Sequence, residues 1–168
     1  MLRRIAGLLL TLLLLPWSAA FAEERLSDLI STEVFLDGEW QPLPQHMLYA
    51  HEGNVLADGA LVFVPLQVYL KANPAPAISL AEEPRFRVCM DPSVSRCTVT
   101  RQLYGVSGQE LLRLDMPEHP LAQLPEGAYL LTIRWDAEGP TGSASFQAML
   151  WLLSGGAQLP DLSFPAAP

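Results

Sequence analysis

The side chains able to do chemistry fall into a few groups along the chain. His46, Met47, His51, Met116 and His119 are imidazoles and thioethers, the soft ligands that exported copper proteins use. On a strand, residues five apart fall on opposite faces, so one ion reaches both His46 and His51 only if the backbone bends. Met116 and His119 stand where a strand meets a turn flanked by Pro117 and Pro120. With His46 they are the metal-ligating set the sequence allows, and by themselves they are an incomplete shell. Nucleophilic catalysis would need a hydroxyl, a base and an orienting carboxylate. Ser107, in Gly105-Val106-Ser107-Gly108, lacks the G-x-S-x-G spacing of a nucleophile elbow and precedes no helix. His119 with Asp115 or Glu118 formally completes a trio, but Ser107 reads more simply as a turn serine. Glu82-Glu83 precede Pro84 in a loop, where solvation accounts for them.

Two further groups suit binding rather than reaction. Arg85, Arg87, Arg96 and Arg101 are half of the 8 basic residues beyond residue 22, gathered within 17 positions. A guanidinium fork binds carboxylate or phosphate at two points, so such a surface would grip an acidic partner or glycan. Pairing with Asp91 or Glu110 would instead make the arginines guards of an edge strand. The other group is apolar. In the last strand pattern Ala144, Phe146, Ala148, Leu150 and Leu152 form one face, while the opposite face passes from Ser145 and Gln147 to Met149, Trp151 and Leu153. A strand apolar on both faces needs a cover. The cover is either intramolecular, from the N-terminal segment or from Leu159, Leu162 and Phe164 of the tail, or a partner docking there by strand addition.

These groups must be held by short strands, because the chain has many turn signals and no convincing long helix. Tyr129, Leu131, Ile133 and Trp135 alternate with Leu130, Thr132, Arg134 and Asp136, which predicts a strand with one core face and one mostly wet face. Asp136 to Gly142 supplies the connection to the second arm, making a hairpin across 124–153. Asp37-Gly38 between Val34-Phe35-Leu36 and Glu39-Trp40 predicts a tight hairpin, since Asp-Gly tolerates the positive φ of a primed turn. Ala60 to Leu70 alternates as Val62, Val64, Leu66, Val68 and Leu70 and reads as a strand that Pro65 interrupts. Ile78-Ser79-Leu80 reads as a short strand, and Leu112, Leu114 and Met116 as one face of another. Arg85 to Met90 and Cys97 to Tyr104 read as a hairpin looped by Asp91 to Arg96, with a Cys89–Cys97 disulfide across it. Such a bridge would contribute about 2 to 3 kcal/mol on the chain-entropy model.

The pattern Leu124-Pro125-x-Gly127-x-Tyr129-x-Leu131-x-Ile133 resembles the penultimate strand of immunoglobulin-like domains, with Tyr129 at the place of a corner tyrosine. The resemblance spans about ten residues and implies a fold class, not a family. An all-β, antiparallel immunoglobulin-like β-sandwich is therefore expected, with a small β-barrel as the alternative.

Compartment follows from the N-terminus. Arg3 and Arg4, an apolar run from Ile5 to Leu15, and Ala20-Phe21-Ala22 have the order of a secretory signal cleaved after Ala22. That run is short of the roughly 20 residues a membrane span needs, and no later stretch is longer. The domains expected are residues 1–22 as signal peptide, 23–153 as the β domain and 154–168 as a Pro- and Gly-rich, extended and partly mobile tail. Cleavage removes two arginines and no acid, leaving 8 Lys+Arg against 18 Asp+Glu and a net charge of −10 where the full chain has −8. Nucleic acid and anionic lipid should repel such a surface.

These readings converge on an exported protein, periplasmic or secreted, that is not an enzyme and needs no cofactor. Its expected role is an interaction or accessory module of the cell envelope, binding a protein partner through Met149, Trp151 and Leu153 or through Arg85, Arg87, Arg96 and Arg101. The alternatives are a periplasmic copper-binding protein using Met116, His119 and His46, and, third, a small hydrolase.

Overall fold

The computed structural model describes residues 25–53, 55–108 and 110–162. The expected signal peptide, 1–22, and Phe164 of the tail lie outside the described residues.

Local turn chemistry sets two of the hairpins. Strands β1 (Ile30–Leu36) and β2 (Glu39–Pro42) are joined by Asp37-Gly38. The φ values there are 52° and 86°, the positive pair a primed turn requires. Strands β9 (Gly127–Gly139) and β10 (Gly142–Ser154) form the long hairpin. Gly139 pairs with Gly142, so only Pro140 and Thr141 connect the arms and the strands run further than the turn residues suggested. The corner expected at Tyr129 is present, its hydroxyl donating to the Pro125 carbonyl at 3.1 Å.

Among the described residues six more strands make the fold all-β: β3 (Gln45–Glu52), β4 (Val55–Asp58), β5 (Ala77–Ser79), β6 (Phe86–Met90), β7 (Arg96–Ser107) and β8 (Glu110–Leu114). They form two sheets, a three-stranded one in the order β2-β1-β6 and a larger one in the order β4-β3-β10-β9-β7-β8. The larger sheet curls toward a half-barrel. All pairings are antiparallel except that of β5, which runs parallel to β10. One edge of β10 is thus shared, with β3 beside Gly142 to Ala148 and β5 beside Trp151 to Leu153.

Between the sheets lie Val34, Leu103, Leu131, Ile133, Leu150 and Leu152, the inward alternation expected of β9 and β10. Toward the β9–β10 turn the core continues as Trp135 stacked on Phe146 at 4.7 Å. Helix α1 (Leu26–Leu29) closes that end with Leu26 and Leu29.

Three expectations are corrected. The Arg85–Met90 and Cys97–Tyr104 segments do not pair with each other. β6 pairs with β1, and β7 with β8 and β9. The connecting loop crosses between sheets: the Asp91 amide bonds to Leu29 on one side, and the Ser95 amide to Glu138 of β9 on the other. Phe86 and Val88 supply the reason, because burying them against the common core turns Cys89 to the outer face. Cys97, on β7, packs inward near Trp135. Both cysteines are free.

Ala60 to Leu70 is helical rather than extended. It forms α2 (Ala60–Phe63) and α3 (Leu66–Ala72), divided at Pro65. Pro65 lacks an amide where a helix start would leave one unpaired, and its carbonyl accepts the Tyr69 amide at 3.0 Å. The buried stripe then runs through Leu66, Tyr69 and Leu70, at spacings three and four, and Val68 is left 43% exposed. Period two and period 3.6 were both satisfied by this apolar run, and the need for a cover chose between them.

The tail is not simply extended. It reverses at Gly155 and Gly156, with φ of 65° and 81°, and returns Leu162 to the face bearing Trp151. Among the described residues no helix is long and apolar enough to cross a membrane.

Candidate functional site

The outer face of the β2-β1-β6 sheet brings together the best candidate surface. Because Ile30 and Val34 are buried in β1 and Phe86 and Val88 face the core in β6, the alternate residues Glu33, Phe35, Arg87 and Cys89 stand outside. Register places Phe35 opposite Trp40, Glu33 opposite Arg87 and Ser31 opposite Cys89. The Phe35 and Trp40 rings meet edge to face at 5.3 Å. The Arg85 guanidinium sits 3.7 Å above the Phe35 ring, and Arg87 sits 4.2 Å above that of Trp40. Arg87 also holds Glu33 at 2.6 Å through both Nε and Nη2.

Each contact is worth little by itself, on the order of 0.5–1 kcal/mol for an exposed cation–π pair and up to about 1 kcal/mol for an exposed ion pair. Their collective effect is order: four side chains are pinned in an outward-facing array of half-buried rings and exposed forked donors. Such an array recognises carboxylates at two points and offers stacking area to a planar or apolar group.

The four arginines do not form one patch. Arg85 and Arg87 belong to this face. Arg96 is on β7 of the larger sheet, 3.7 Å from Glu138. Arg101, also on β7, lies at the periphery between the sheets with its guanidinium 5.8 Å from the Phe86 ring. Sequence proximity misled here because the 91–95 loop changes sheets. Phe35 and Trp40, which complete the face, were read only as hairpin residues. Their partnership with the arginines depends on the β1–β6 pairing, for which the sequence carries no local signal.

The apolar candidate is corrected as well. Met149 is 1% exposed and Trp151 4%, covered by α3, Ala75 and Leu162, and the neighbouring Leu153 is half-buried. The cover is intramolecular, and its main piece is the helix rather than the tail. Leu130 of β9 shares that buried face, so the wet side of β9 begins only at Arg134. There burial alone would raise the Asp136 carboxyl, but the Arg134 fork at 2.7–3.2 Å holds it below the ordinary value.

For the metal set, a bulge opposite Ser145 and Phe146 supplies the bend that the spacing called for. His46 pairs with Gln147 and His51 with Ser143, so both lie on one face of β3. They are nonetheless about four strand steps apart, on the order of 13 Å, too far for one ion. The Nδ1 of His46 is 2.9 Å from the Tyr69 hydroxyl, and burial holds its imidazole below the ordinary value. Met47 turns to the inner core. His119 is exposed, 3.0 Å from the Pro120 carbonyl, and Met116 precedes it in the same connection. Among the described residues no three His, Cys, Asp or Glu side chains converge as a metal shell. Ser107 ends β7 beside the turn into β8, and no hydrogen bond joins it to His119, Asp115 or Glu118.

In comparisons with known proteins, no family model, no curated protein and no solved structure matches this chain.

Proposed function

We propose that this protein is an exported interaction module of the cell envelope, periplasmic or secreted and not an enzyme. Its architecture is read as an immunoglobulin-like sandwich, which the Tyr129 corner and the core between two sheets support. The observation that carries the functional reading is the outward-facing array in which half-buried Phe35 and Trp40 lie under exposed Arg85 and Arg87. A chain with 18 acidic and 10 basic residues here spends two arginines on one small sheet, beside aromatic rings that make no contribution to the core between the sheets. Aromatic and arginine side chains are the types enriched where proteins meet. The N-terminal pattern ending at Ala22 supports export.

The test is site-specific photo-crosslinking in the envelope. A photoreactive residue in place of Trp40 should give a discrete adduct with one protein, and a photoreactive residue in place of Leu112 on β8 should not. Arg85→Glu should remove the Trp40 adduct. Adducts equal at both positions, or unaffected by Arg85→Glu, would refute the assignment of this face. Mass analysis of the exported protein should begin at Glu23, and an uncleaved chain in the cytoplasm would overturn export.

A further inference from the structure

Beside this face runs a strand edge that is unpaired among the described residues. In the order β2-β1-β6, β6 is terminal. The Phe35 amide donates to the Arg85 carbonyl at 3.0 Å, and the Asp91 amide to Leu29 at 2.9 Å. The odd-numbered residues from 85 to 91 therefore turn their backbone groups toward β1. By the alternation of an antiparallel ladder, Phe86, Val88 and Met90 turn theirs outward. Among the described residues no hydrogen bond engages those outward groups. Prolines 84 and 92 lie outside the strand, so every outward donor is present. The opposite edge, β2, has only four residues and ends in Pro42, which removes a donor and blunts it.

The side chains next to the open edge select its occupant. A strand added to β6 would bond to Phe86, Val88 and Met90. It would meet Arg85 and Arg87 at the non-hydrogen-bonded positions, where Cα atoms approach to about 4.5 Å and side chains are closest. Residues i and i+2 of the incoming strand then flank Arg85 and Arg87, whose guanidiniums rest over Phe35 and Trp40 and turn toward the edge to meet them. Arg85 makes no ion pair among the described residues, and Arg87 spends Nε and Nη2 on Glu33, which leaves Nη1. Carboxylates at i and i+2 accept these donors, whereas lysines are repelled. The exported chain carries 8 Lys+Arg against 18 Asp+Glu, a net charge of −10, which repels an acidic segment from the rest of the surface and confines its contact to this edge. Resting on the interaction reading above, we infer that the β6 edge takes an extended acidic segment of a partner protein by strand addition, with carboxylates two residues apart on Arg85 and Arg87.

The probe is a fluorescent hexapeptide alternating Glu and Val, compared by anisotropy with its Lys-Val counterpart on the full exported chain. Saturable binding of the acidic peptide alone is expected. Arg85→Glu and Met90→Pro should each weaken it at least tenfold. Met90 is 51% exposed, and proline there removes an outward amide while the β1-facing bonds remain, so melting curves like that of the wild type should accompany the loss. Equal binding of the two peptides overturns the inference. So does wild-type affinity in Met90→Pro, which would mean that the guanidiniums act without strand addition. Failure of the peptide with Trp40 adducts intact sinks only the strand addition, whereas loss of those adducts sinks the interaction reading itself.

Discussion

Two aromatic clusters lie on opposite sides of this molecule and have met opposite fates. On the larger sheet, Met149 and Trp151 are roofed by α3 and the returning tail. On the smaller sheet, Phe35 and Trp40 stay half-exposed beneath Arg85 and Arg87. The difference lies in the neighbours. Met149, Trp151 and Leu130 adjoin one another across β10 and β9, and burying a side chain of that size is worth about 1.5–3 kcal/mol. That gain is enough to draw a helix over them. Phe35 and Trp40 have charged forks above their rings, and covering them would strip water from two guanidiniums. The first cluster holds the fold together, and the second stays half-exposed at the surface.

Truncation separates the two most sharply. Trp151→Ala should destabilise the protein by about 3–5 kcal/mol, while Trp40→Ala should stay within about 1 kcal/mol. Urea midpoints measure both, and equal losses would erase the distinction. The roof itself is tested next: Leu70→Ala, on the buried stripe of α3, is expected to cost about 2–4 kcal/mol, and Val68→Ala within about 0.5 kcal/mol. On a strand these two residues would share a face and lose alike, so a matched pair of losses would restore the extended reading of this segment.

Thiol chemistry compares the faces at smaller amplitude. Without reductant the native protein should titrate as two free thiols, Cys89 reacting with a thiol reagent ahead of Cys97. Burial and the nearby Asp136 charge push the Cys97 thiol up, which lowers its thiolate fraction. A native protein with no titratable thiol would require the disulfide after all, and a β6 turned over from its present register. The smallest effect is acid sensitivity at the roof. His46 is held below its ordinary value of 6.5 by burial, so the unfolded chain binds more protons between the folded value and 6.5. Stability then rises with pH in that window and is lost as pH falls below about 6.5. His46→Gln should flatten that part of the stability-against-pH curve, and an unchanged slope would assign it elsewhere.

The elements legible in the sequence are those whose cause is local. Asp37-Gly38 demands positive φ from two adjacent residues, and the alternation from Tyr129 to Trp135 needs only its own period to announce a strand with a corner tyrosine. Much of the candidate face was not legible for the opposite reason. Arg85 and Arg87 were visible as charges, but Phe35 and Trp40 join them only because β6 leaves its sequence neighbour β7 and pairs with β1. The histidine parity failed at a single bulge in β3, since one extra residue reverses every later facing.

The sequence by itself determined an all-β chain, the tight Asp37-Gly38 hairpin, the existence of the long hairpin and the inward faces of β9 and β10, because turn geometry and side-chain alternation act over a few residues. Only the tertiary structure decided that Ala60 to Leu70 is helical, that Cys89 and Cys97 face different ways, and that Trp151 is roofed while Trp40 is open. Those outcomes depend on which distant surfaces must be buried together, and a segment that suits two periods takes the one that closes the largest uncovered apolar face.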